Sequence, residues 1–162
     1  MRRSATSTVA GLRRAISESV EAASSQDADR FAESADRLAV QDPQRLTVVQ
    51  AWVIRSLLER LHPDGLSGDD AQDVLRRCLL STAAWYPQAD PGVLVRVLTG
   101  ALGLSNPESA PDPAPGPIGP AALSLGAALL IADLLSAAGD PLAGYLDGAL
   151  AELERAETIE LP

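Results

Sequence analysis

The chain has 162 residues, of which 46% are hydrophobic and only 3% aromatic, so Ala, Leu and Val must build whatever core it has. Its net charge of −9 argues against nucleic-acid binding, which needs a clustered basic surface for phosphate contacts, and no nucleic-acid partner is expected. A single cysteine and a single histidine exclude an intramolecular disulfide and a Cys/His zinc site; no cofactor and no metal are expected.

The opening stretch, MRRSATSTVAGLRRAIS, has early arginines but no continuous apolar segment of signal-peptide length, because Arg13 and Arg14 interrupt it. The first predicted helix, about Ala5–Ala23, lines up Val9, Leu12, Ile16, Val20 and Ala23 on one stripe. Residues 1–24 carry Arg2, Arg3, Arg13 and Arg14 against only Glu18 and Glu21, and read as a basic amphipathic arm on an acidic body. Arg13 and Arg14 are therefore interface candidates, docking on the chain's own body, on a twin or on an acidic partner.

The main helical body is expected over residues 25–103. A second helix, about Asp27–Ala39, repeats the stripe with Phe31, Ala35 and Leu38. The third, Pro43–Leu61, is apolar around most of its circumference and reads as a central helix; Asp42 before Pro43 supplies a cap and a first-turn proline. ERLHPDGLSGDD follows, Glu59–Asp70. His62 stands at a helix C-terminus and Asp64 two residues on, in a Pro-Asp-Gly turn that could bring a carboxylate to the ring. A catalytic His–Asp pair also wants a nucleophile, and no Ser or Cys here has such a context, so capping and turn chemistry come first.

Ser67 and Asp70 have capping-box spacing at the head of the fourth helix, about Asp69–Ser81. That helix is two-faced: Val74, Leu75, Cys78 and Leu79 on one side, Asp70, Asp73, Arg76 and Arg77 on the other, with Asp73 and Arg77 spaced for a surface pair. Cys78 sits mid-face and reads as a core thiol. Trp85 and Tyr86, just beyond, either cap the core or anchor a contact. Asp90-Pro91 opens a fifth helix, to about Leu102.

Residues 104–119 hold a Pro-rich connector: five of the ten residues from Pro111 to Pro120 are proline. Beyond it, residues 120–157 are expected to form a C-terminal helical hairpin packing on the body, Pro120–Ala138 and Pro141–Ala156, turned by Gly139-Asp140-Pro141. The apolar run from Ala121 to Ala132 is shorter than the ~20 residues of a membrane span, because Asp133 follows. On a helical wheel Leu123, Ala127, Leu130, Ile131 and Leu134 share one face, and Asp133 falls opposite with Gly126, Ser136 and Ala137. Asp133 is thus expected to face solvent; a structural pair with an arginine such as Arg96 or Arg155 is the second reading and a functional carboxylate the third.

No segment alternates with the period of two that a half-buried strand demands. The expected fold is all-α, a compact array of about six or seven helices in one domain. Arginine without lysine, with abundant Ala, Gly and Pro, suggests bacterial coding DNA rich in G and C. The expected function is a soluble, cytoplasmic, non-enzymatic protein-interaction or scaffold module that associates with a protein partner or itself through apolar helix faces. The alternative is a small-molecule-binding helical domain with an apolar cavity between the third and sixth helices. A small enzyme using His62 and Asp64, or Asp133, comes third.

Overall fold

The structure, a computed structural model, describes residues 8–103 and 119–160. Seven helices account for them: α1 Val9–Ser24, α2 Ala28–Ala39, α3 Pro43–Leu61, α4 Gly68–Ala83, α5 Pro91–Ala101, α6 Pro120–Ala138 and α7 Leu142–Glu160. No strand occurs among the described residues. The Pro-rich stretch from 104 to 118 and the first seven residues lie outside them.

The helix starts follow local chemistry. Thr8, Asp27, Asp42 and Asp90 each accept a backbone N–H in the first turn of the helix they precede. Ser67 and Asp70 close a reciprocal capping box at 3.0 Å each way. The α1–α2 junction is tighter. Asp27 N–H reaches the Ala22 carbonyl and Gln26 N–H the Ala23 carbonyl, each at 3.0 Å, which is a Schellman closure. Gln26 takes the left-handed position there, φ 58°, where glycine is usual. Asp27 then serves at once as the last residue of that motif and the cap of α2.

The core is built around α6, which packs against α1, α2, α3, α4 and α5. Its most extensive interface is with α3, where Leu46, Val49, Val53, Ile54 and Leu57 are buried. Burial on α6 runs through Ser124 and Gly126–Ile131 to Leu134 and Leu135, nearly all the way round. A helix surrounded by neighbours can be apolar on every side. For the same reason its 19 residues are long and apolar enough, by length and composition, to cross a membrane.

Two glycines let neighbours approach. A Cβ on Gly126 would sit 2.7 Å from Val93 Cγ1 on α5, and one on Gly148 would sit 2.6 Å from the Trp52 ring on α3. The described part of the basic segment does not stand apart: Leu12, Ala15, Ile16 and Val20 of α1 belong to the core. After the Gly139 turn, φ 71°, α7 runs mainly along α3, with a smaller contact to α1, rather than along α6. α6 and α7 therefore open away from each other.

Candidate functional site

Asp133 is not on a solvent-facing stripe. Its side chain is only 10% exposed, because α4 lies over it, whereas Ser136 and Ala137 on the same side of the wheel are exposed as expected. It is paired with an arginine, as the second reading has it, but with Arg77 rather than Arg96 or Arg155. Arg77 Nε donates to Asp133 Oδ2 at 3.1 Å, and the Ser81 hydroxyl, whose nearer acceptor is the Cys78 carbonyl at 3.1 Å, lies 3.4 Å from Oδ1. Arg77 and Ser81 stand four apart on α4, so one turn of that helix brings both groups to one carboxylate. The expected Asp73–Arg77 pair is correspondingly absent: Asp73 meets Arg76 at 3.5 Å instead.

Cys78, between those donors in sequence, is fully buried. Burial, and secondarily the Asp133 carboxylate, push its thiol up to about 12, so the nucleophilic thiolate is suppressed.

His62 caps the C-terminus of α3, its N–H reaching the Leu58 carbonyl at 2.8 Å. The carboxylate that approaches its ring is Asp70, with Nδ1 3.7 Å from Oδ2, and not Asp64, which is exposed in the turn. The Pro-Asp-Gly turn points Asp64 outward, whereas the capping box fixes Asp70 beside the ring. Hydrogen bonds from Ser67, backbone and then side chain, hold the Asp70 carboxyl below its ordinary range, with His62 a smaller influence. Among the described residues no three His, Cys, Asp or Glu side chains are gathered as metal ligands would be.

Trp85 and Tyr86 join Phe31 in one aromatic cluster. The Phe31 ring lies edge-on to both, at centroid distances of 5.4 and 5.0 Å. Phe31 is fully buried and the other two partly, so the trio closes the core where α2 meets the end of α4. Tyr86 also borders a small cleft of about 110 Å³ against Val93, Gly126 and Leu129.

Arg13 forms an ion pair with Asp147 of α7. Arg14 lies 3.8 Å from Glu18, which also meets Arg37 of α2 at 3.0 Å. Arg13 and Arg37 thus tie α1 to α7 and α2, while Arg14 pairs within α1.

Where α6 and α7 part, an open groove of about 560 Å³ remains. Val20, Leu135, Leu142 and Leu146 contribute an apolar floor, and Arg13, Ser17, Glu21, Ser136 and Asp140 stand among its polar lining. Asp140 accepts from the Tyr145 hydroxyl at 2.6 Å and pairs with Arg60 at 3.4 Å. The hydrogen bond to Asp140 pushes the Tyr145 phenol above its ordinary range. Compared with family models, curated proteins and solved structures, the chain matches none.

The groove is the feature that sequence patterns missed. Leu142 and Leu146 are legible as an apolar stripe, but an i, i+4 pair does not say whether a neighbouring helix covers it.

Proposed function

We propose that this protein is a non-enzymatic protein-interaction module and that its docking surface is the groove between α1, the end of α6 and the start of α7. The observation that carries the reading is the groove itself: an open cleft rimmed by charged and hydroxyl side chains, with part-exposed Leu142 over the buried Val20, Leu135 and Leu146. Such a cross-section suits a partner helix laying its apolar face between two diverging helices. The separately exposed Val40, Val48, Leu80, Val95 and Ile159 stand on five different elements, so they weigh less than the groove as a contact face.

The candidate catalytic groups have structural partners of their own. His62 belongs to the α3–α4 turn with Asp70, and Asp133 to the α4–α6 contact with Arg77. The small-molecule reading loses its expected place, since α3 and α6 pack on each other, and has one observation in its favour elsewhere: the groove's volume of about 560 Å³ lies within the range of clefts that hold small ligands. A cytoplasmic setting belongs to the same proposal.

Native mass spectrometry of the protein purified gently from the cells that make it tests this. Ser136→Trp, at an exposed position lining the groove, should remove a co-purifying polypeptide, while Gln72→Trp, exposed on α4, should retain it. A small adduct displaced by Ser136→Trp would favour the ligand reading instead. A bare wild-type monomer, or a companion indifferent to Ser136→Trp, would overturn the assignment of the groove.

A further inference from the structure

We infer that the outer face of α3 around Trp52 is a docking surface for the chain's own Pro-rich segment, residues 104–118. That face is separate from the groove, which has no lining residue on α3. Both flanks of the segment are tied to α3. Arg55 Nη1 donates to the carbonyl of Ala101, the last residue of α5, at 3.1 Å. Gln50 Nε2 donates to the carbonyl of Ser124, in the second turn of α6, also at 3.1 Å. Two anchors five residues apart on one helix are separated by about 7.5 Å of rise. Residues 104–118, fifteen in all, reach about 45 Å when extended as a polyproline chain. The segment has length to spare for a path across α3 between its two ends.

What lies beside that path suits a proline chain. Trp52 and Ala51 are partly exposed, and Val48, one turn back, is 41% exposed. The benzo edge of the Trp52 indole rests against Gly148 of α7, where an added Cβ would stand 2.6 Å from Cη2. The opposite end of the ring carries the N–H, which finds no acceptor among the described residues. Pro-rich segments dock on aromatic rings of this kind, the ring packing on prolines and the N–H donating to a carbonyl between them. Pro111, Pro113, Pro115 and Pro117 restrict φ to about −65° before docking, so little freedom is lost by it. Charge agrees: the segment carries Glu108 and Asp112 and no base, while the exposed Arg55 has no carboxylate partner among the described residues.

The test is acrylamide quenching of the full chain carrying Trp85→Phe, which leaves Trp52 as its one tryptophan. Replacing Pro111, Pro113, Pro115 and Pro117 with serine should raise the quenching of Trp52 about twofold or more and move its emission to longer wavelength. Val48→Glu, at an exposed position on the docking face, should act likewise by repelling Glu108 and Asp112. A synthetic peptide of residues 104–118, added to the serine variant, should return the quenching toward its starting value. Equal quenching in the starting protein and in both variants, with helical circular dichroism unchanged, would overturn the assignment. Quenching of the starting protein that falls as its concentration is raised would give the face to a second copy, and would overturn it as well.

Discussion

Arg77 and Asp133, 56 residues apart in sequence, meet at 3.1 Å across the α4–α6 contact, one half exposed and the other nearly covered. The asymmetry makes the two ends of the pair unequal. Removing the carboxylate leaves an arginine that is 48% exposed and can turn to water, so Asp133→Leu should cost less than about 1 kcal/mol. Arg77→Leu leaves a carboxylate that is 10% exposed with only the shared Ser81 hydroxyl beside it, and should cost about 1–3 kcal/mol. Urea titrations of both variants decide it. Equal losses would mean that Asp133 is better hydrated than its burial suggests. Leu134→Asp, one position along and fully buried, should unfold the domain.

Cys78 gives a pH signature. Its folded-state value is raised from 9.0 to about 12, so below pH 9 the thiol is neutral in both states and the stability it confers is fully present. Between 9 and 12 the unfolded thiol ionises while the buried one does not, and stability should fall by up to about 1.4 kcal/mol per pH unit from this group. The same burial predicts that a thiol reagent labels the native protein far more slowly than the unfolded chain. Cys78→Ala should remove this component of the alkaline slope; an unchanged slope would assign it to other groups.

Gln26 adopts φ 58° at the position of the Schellman motif where a side chain is strained. Gln26→Gly should therefore stabilise the protein by about 0.5–1 kcal/mol, the relief of strain exceeding the added freedom of the unfolded chain. Thermal unfolding checks the sign. A loss would show that the Gln26 side chain contributes more than its exposed position indicates.

The glycines should respond oppositely. Gly126→Ala places a methyl 2.7 Å from Val93 Cγ1 and should cost about 1–3 kcal/mol as α5 is pushed off α6. Gly144→Ala meets nothing within 4 Å on the exposed side of α7 and should gain up to about 1 kcal/mol from helix propensity. Comparable effects at the two sites would mean that the α5–α6 approach is looser than the contact distance implies.

What the sequence determined by itself is the set of helices and their punctuation. Asp-Pro at 42 and 90, the Ser67/Asp70 box and Gly139 act within a few residues of themselves, and the helices begin and end beside them. The apolar stripes of α1, α2 and α4 also marked the residues that are buried there, such as Ile16, Phe31 and Cys78, because a two-faced helix shows which side it hides. α6 carried less of it. It is apolar nearly all round, and of the four residues on the wheel's polar side Ser136 and Ala137 are exposed while Gly126 and Asp133 are not. Tertiary structure decided otherwise by laying α5 over Gly126 and α4 over Asp133. It likewise chose Asp70 over Asp64 for His62 and Asp133 over Asp73 for Arg77, since side-chain reach across a helix contact is not encoded in sequence spacing. The groove between α6 and α7 belongs to the same class: it is the space left when α7 packs on α3, and packing between distant segments is set by the whole core rather than by any one stripe.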